Sequence, residues 1–361
     1  MKIYTRYMIT MACLMFGANA FANGYKGEAP LRSPVTIPQL KGGFDISISA
    51  LFMTPSSSNL TYVSVNKTPT GSDVSMHDYD STYDITPDEN WGFILDLGYV
   101  FPNTAHDVRL DWMAFHSNYS NQLKVIGQAG MSTNVVFFPT SNEVLLSNSD
   151  YAKATATINY KLDALDLTFG QYLNIYQRLQ IRVFTGLRYA RIDSDMQAVY
   201  IANWNTSSSE PSGGAFNGNI NSSFNGLGPM IGTRADFDLG KGLGLAGSFD
   251  IALLASQLSF NANQIIHENT VGTPEVITNA LNWGTQQIVA PAFDAKFGMN
   301  YQYQFNNGTQ LIGELGYQVS QYIDVIEQMD RGSGTTIEPY FSTDVTNFDL
   351  RGPYLTLRVK V

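Results

Sequence analysis

The stretch FDAKFGMNYQYQF, Phe293 to Phe305, alternates without a slip. Phe293, Ala295, Phe297, Met299, Tyr301, Tyr303 and Phe305 are apolar or aromatic, and between them stand Asp294, Lys296, Gly298, Asn300, Gln302 and Gln304. Successive side chains of a strand point to opposite faces, so the segment has one apolar side and one wet side. Strands of soluble proteins usually hold such a pattern for about five or six residues. Here it lasts thirteen. A wall with lipid on one side and water on the other accounts for that length.

The pattern recurs along the chain. Phe44–Phe52, Gly92–Phe101, Val108–Trp112, Ala152–Leu162, Leu179–Tyr189, Ile231–Leu239, Leu243–Leu253, Leu311–Ile323 and Leu355–Val361 alternate in the same way, which makes ten candidate strands in all. The connections between them are in turn long and short. Thr54–Asn90, Ser120–Asp150, Gln197–Ser222, Asn261–Thr285 and Ile326–Asn347 read as long loops; Pro102–Asp107, Asn174–Arg178, Gly240–Gly242 and Asn306–Thr309 read as short turns. Outer-membrane barrels have long extracellular loops, short periplasmic turns and an even number of antiparallel strands. Only a closed barrel leaves no strand edge unpaired in hydrocarbon. The expected fold is therefore all-β, a transmembrane antiparallel β-barrel of about ten strands, with eight to twelve left open. The alternative, a secreted sandwich or propeller, fits neither the strand length nor the loop asymmetry.

Composition agrees with a β-rich chain. Of 361 residues only 14% are charged, with 31 glycines, 20 tyrosines and 21 phenylalanines; globular chains carry about 25% charge. The opening MKIYTRYMITMACLMFGANAFA has a positive start at Lys2 and Arg6, a short apolar middle and small-x-small cleavage sites at Ala18–Ala20 and Ala20–Ala22, the pattern of a secretory signal over residues 1–22. Residues 23–43 read as an irregular leader, and 44–361 as the barrel. Removing Lys2 and Arg6 takes the net charge from −10 to −12, which argues against nucleic acid as a partner. The single cysteine, Cys13, lies inside the signal, so the exported chain has no thiol for a disulfide or a metal.

The inward parity collects both signs of charge. Asp96, Arg109, Asp111, Arg182, Arg188, Arg234, Asp236, Asp294, Lys296 and Glu314 are the candidate pore-lining residues, and Lys153, Lys161, Asp250, Arg358 and Lys360 share their parity. Two readings follow: a hydrated channel lined by opposed charges, or internal salt bridges filling a narrow barrel. Inward glycines at 92, 98, 186, 232, 298 and 316 leave space and favour the channel.

Other chemistry is thin. In the acidic run DYDSTYDITPDE, Asp78, Asp80, Thr82 and Glu89 match ligand spacings of a calcium loop, but Tyr83 stands where that loop needs glycine and Pro87 interrupts it, so a solvated acidic loop is expected. His116 and Ser117 are adjacent on a strand and must face opposite sides, which gives no basis for a hydrolase. No catalytic residue, cofactor site or metal site is expected.

Several segments resemble a known family. ALFMTPSSSNLTY (Ala50–Tyr62), HDVRLDWMAFHS (His106–Ser117), YKLDALDLTFGQYL (Tyr160–Leu173), VFTGLRYARI (Val183–Ile192) and RGPYLTLRVKV (Arg351–Val361) are similar to the Legionella-type major outer-membrane proteins, pore-forming barrels of Gram-negative bacteria. The resemblance implies a multi-pass place in the bacterial outer membrane, a porin-like pore and, for some members, a surface role toward host cells. It supplies no catalytic residue. The chain departs from such barrels in ending on Val361 where phenylalanine is common, and from disulfide-linked members in having no cysteine after export. The expected function is passive diffusion of small hydrophilic solutes and ions, with a surface adhesin or structural barrel as the alternative. The expected partners are outer-membrane lipid, the solutes, the outer-membrane assembly machinery and host surface molecules; homo-oligomerisation is left open.

Overall fold

The computed structural model describes residues 35–58, 60–69, 79–128, 131–137, 142–146, 150–204, 212–270, 273–329 and 343–361. The proposed signal and most of the leader lie outside these residues. Ten antiparallel strands make the barrel: β1 (Gly43–Ser57), β2 (Asn90–Val100), β3 (His106–Ile126), β4 (Tyr151–Ile175), β5 (Leu179–Trp204), β6 (Ser212–Gly240), β7 (Leu243–Thr270), β8 (Thr273–Gln304), β9 (Gln310–Met329) and β10 (Thr343–Lys360). Each pairs with the next in sequence, and β10 pairs with β1, with Lys360 opposite Asp45 and Leu357 opposite Ile48. The ring is closed, so within the belt every strand has a neighbour on both sides, as hydrocarbon requires. Both terminal strands meet at the short-turn end. There β6 turns into β7 through Lys241 and Gly242, flanked by positive φ at Gly240 (+93°) and Gly242 (+83°), a backbone that glycine adopts without strain.

An apolar belt surrounds this half of the barrel. On β8 it runs through Val289, Phe297, Met299, Tyr301 and Tyr303, all more than half exposed; Leu187 on β5, Ile231 on β6, Leu253 on β7, Leu315 on β9 and Leu355 on β10 continue it. Such exposure would be unfavourable in water and is natural against lipid. Phe297 sits at the middle of the β8 belt, so Phe297→Arg is expected to destabilise the folded barrel by about 2–4 kcal/mol. Gln287→Arg, beyond the belt on the same exposed face, should change stability by less than about 1 kcal/mol. Urea unfolding in lipid vesicles measures both, and equal effects would place the belt elsewhere.

The strands do not stop where the bilayer does. β8 has 32 residues and β6 has 29, whereas about 9–11 cross a membrane. The segments expected as loops at 197–222 and 261–285 are mostly strand: β5 and β6 stay paired up to Trp204 and Ser212, and β7 and β8 up to Thr270 and Thr273. Once a strand leaves lipid, its outer face becomes mixed, with small polar residues among exposed Val199, Ile201 and Val276, and such stretches resemble a loop in sequence.

This change of solvent also inverts the chemistry of the alternation. Along β4 even-numbered residues face inward throughout. In the belt half the outer residues Leu165, Leu167 and Phe169 are exposed, while Thr168 is buried within. In the distal half the inward residues Ala152, Ala154, Ala156, Ile158, Tyr160 and Leu162 are buried and apolar. Lys161 is exposed and Lys153 half-buried on the outside, so the expectation that these two lysines face inward is wrong. The backbone parity is unbroken; lipid gives way to water outside, and the apolar side of the strand moves to the interior.

The distal half consequently contains an apolar core. Met53, Tyr160, Tyr200, Phe224, Phe260, Tyr322 and Phe348, from seven strands, are each at most 1% exposed. The first two long connections, β1–β2 and β3–β4, add a four-stranded sheet in the order Tyr79–Asp84, Thr61–Pro69, Met131–Phe137, Asn142–Leu146. From it Tyr62 and Val63 enter the same core, and the Tyr200 hydroxyl donates to the Tyr62 carbonyl at 3.1 Å. Burial pushes the Tyr200 hydroxyl well above its ordinary pKa and raises that of Tyr62. The acidic stretch expected as a solvated loop thus contributes a strand; Asp78 lies outside the described residues.

Candidate functional site

The barrel lumen within the belt is the charged site. Nine of the ten inward candidates, Asp96, Arg109, Asp111, Arg182, Arg188, Arg234, Asp294, Lys296 and Glu314, border one cavity of about 140 Å³. Asp236 lies nearer the turn end, beside Arg234. The strands bring them together because inward parity on neighbouring strands, with closure of β10 on β1, turns a linear list into a ring.

Most of these charges hold one another. Arg109 binds Asp45 at 2.6 Å, Asp107 at 2.8 Å and Asp96 at 2.9 Å, and donates to the Tyr172 hydroxyl at 3.0 Å. Arg182 reaches the same Asp107 at 2.9 Å and donates to Thr168 at 3.0 Å. Arg188 on β5 holds Asp166 on β4 at 2.6 Å and extends to Asp294 on β8 and to Asp250 on β7 at 3.1 Å. Arg234 on β6 binds Glu314 on β9 at 2.6 Å, and the Tyr354 hydroxyl donates to the other Glu314 oxygen at 2.6 Å. Arg188–Asp294 and Arg234–Glu314 each join strands three places apart in the ring. These pairs tie non-neighbouring strands together across part of the lumen. Charge-assisted hydrogen bonds of this kind are the strong ones, and in a partly dry interior they are what makes such charges tolerable.

Asp111 and Lys296 differ. Among the described residues neither forms an ion pair, although both border the cavity. Asp111 stands directly opposite Asp96 on β2 and Asp166 on β4, and Asp250 stands opposite Asp294. Like charges directly opposite each other are destabilising. The arginines at this level therefore offset a carboxylate excess built into the register.

Some inward glycines make room for this lattice. A Cβ at Gly170 would lie 2.5 Å from both Arg182 Nε and Asp107 Oδ1. One at Gly298 would lie 2.8 Å from the Tyr354 hydroxyl, and one at Gly316 2.8 Å from its ring. At Gly298 and Gly316, two of the six glycines expected to leave space, that space holds the Tyr354 side chain, and at Gly170 it holds Arg182 and Asp107.

Asp45, Asp107, Asp166, Tyr172 and Tyr354 were not foreseen as members of the site. Asp107 looked like the last residue of a turn, yet it is fully buried at the start of β3. Extending the parity of Arg109 and Asp111 back by two residues would have found it. His116 is exposed on the outer face and Ser117 is buried inside, so the two do not meet.

Comparison with known proteins gives the family. A family model described as "Legionella pneumophila major outer membrane protein precursor" matches residues 36–361. The curated proteins contain no match. Among solved structures the chain is similar to the outer membrane protease OmpT from Escherichia coli, at 9% identity and a TM-score of 0.38, covering 91% of this chain and 100% of that one. It is also similar to a Pseudomonas aeruginosa FadL homologue, at 8% identity and a TM-score of 0.22, covering 88% and 90%. Those structural likenesses are too remote to transfer an activity. The family match, the lipid-facing belt and the closed ring together place the chain in the outer membrane, as a multi-pass barrel of the Legionella major outer membrane protein family.

Proposed function

We propose that this barrel is closed to free diffusion in the conformation described and works as a surface-presenting structural barrel through its extracellular half. It has no catalytic role in this reading. The observation that carries the proposal is the apolar core between Tyr160, Phe224, Phe260, Tyr322 and Phe348, which fills the interior above the charged lumen. Crossing a bilayer takes about 9–11 residues per strand, and β6 to β8 continue far beyond that around their own core. That extension displays a polar β surface to the outside, suited to contact with host or neighbouring surface molecules.

The second reading is porin-like diffusion of small hydrophilic solutes and ions. The charged cavity and the cavity at the turn end support it, since both are lined by ionic side chains and share Arg234 and Arg358 in their walls. In that reading the extracellular core has to move aside. Single-channel recording of the detergent-folded chain in a planar bilayer separates the two. The expected result is a folded, heat-modifiable protein that gives no discrete conductance steps. Reproducible steps with a fixed ion selectivity would overturn the closed barrel in favour of the pore.

A further inference from the structure

The turn end of the barrel holds a separate cavity of about 590 Å³, within the 300–1,000 Å³ range of small-molecule sites. Its wall carries Arg178, Arg234, Lys241, Arg358 and Lys360 against Asp236 and Asp238. This is a local cationic excess in a chain whose net charge is −10. Both acids are already engaged: Asp236 accepts from Arg234 at 3.1 and 3.2 Å, and Asp238 accepts from the Gly240 amide at 2.7 Å.

Arg358 stands apart from the other inward arginines. Arg109, Arg182, Arg188 and Arg234 each hold a carboxylate at 2.6–2.9 Å. Arg358 reaches carboxylates only at longer range, Nε to Asp45 at 3.5 Å and a terminal nitrogen to Asp96 at 3.7 Å; the buried Nε makes this loose ion pair but no hydrogen bond. A buried donor without a partner is costly, more so when charged. Two residues on, Lys360 shares the inward face and, among the described residues, forms no ion pair. Asn174, Gln180, Asn300 and Gln302 supply amides around them.

We propose that this periplasmic vestibule binds a small organic anion, with a phosphate or carboxylate head between Arg358 and Lys360 and a hydroxylated body against the amides. The guanidinium supplies directed donors and the ammonium a point charge, a pairing suited to an oxyanion.

The test is calorimetric titration of the detergent-folded full chain with glucose 6-phosphate, gluconate and glucose. Saturable binding of either anion, with none for glucose at the same concentrations, is expected; which anion binds identifies the head group. Arg358→Gln and Lys360→Gln should each weaken that binding at least tenfold, whereas Arg191→Gln on the outer face should leave it unchanged. Unboiled gel mobility reports folding, and if Arg358→Gln does not fold, Lys360→Gln decides alone. Absence of saturable binding by both anions, equal binding of glucose, or unchanged affinity in Lys360→Gln would overturn the site.

Discussion

Arg188→Leu is expected to destabilise the barrel by about 3–5 kcal/mol, the range seen when one member of a buried ion pair is removed. Arg188 is 4% exposed and touches three carboxylates, Asp166, Asp250 and Asp294. Leucine fills part of the volume but leaves those carboxylates facing one another across a small cavity. The loss comes less from the contacts deleted than from the negative charges left without a cation. Urea unfolding in lipid vesicles reads it directly. A second substitution makes the assignment specific: Asp294→Asn should cost less in the Arg188→Leu background than in the parent chain, since neutralising that carboxylate now relieves repulsion. Residues in one network couple by about 0.5–3 kcal/mol. If the two changes simply add, or if Arg188→Leu is tolerated within about 1 kcal/mol, the lumen is solvated well enough to screen these charges. The structural-lattice account would then fail.

Phe260→Ala should produce a loss of similar size by a different route. Phe260 is fully buried in the extracellular core, and truncating a buried phenylalanine typically costs about 3–5 kcal/mol through lost transfer energy and the cavity left behind. This core lies above the belt, away from the ion-pair lattice, so the damage should be local. Limited proteolysis from outside is expected to cut the distal parts of β6–β8 faster, while the belt half keeps its compact unboiled gel mobility. Regions with separate cores open separately in this way. The same variant bears on function. If the core is what closes the lumen, Phe260→Ala should raise the frequency of channel openings above that of the parent. A variant that is loosened yet stays silent would shift the closure to the ion-paired level below.

The two substitutions act on levels that were unequally legible in the sequence. In the belt, lipid demands apolar residues at every second position, so Phe293–Phe305 declares its fold with no partner strand in view. All ten strands, the inward parity of Arg182, Arg188 and Arg234, and the short turns between them follow from that local rule. Above the belt the rule lapses. Ala152–Leu162 alternates just as cleanly, but an alternation does not state which face is the dry one. Only the solvent on each side decides that, and it assigned Lys153 and Lys161 to the exterior. The Asn- and Ser-rich stretch at 212–223 is strand because β7 supplies its hydrogen bonds on one side and β5 on the other, information no single segment contains.

The wall is legible in the chain alone: an even barrel, lipid outside, charges within, all read from a period of two. The contents of that wall follow only from the closed fold. Whether an inward arginine lines an open bore or bridges to a non-neighbouring strand depends on which carboxylate stands within its reach. Arg188 meets Asp294 from 106 positions away, and Arg234 meets Glu314 from 80. Those distances are set by ring closure and strand register, both collective properties of ten strands. Parity is a property of one residue and its neighbours, while pairing across a lumen belongs to the closed barrel.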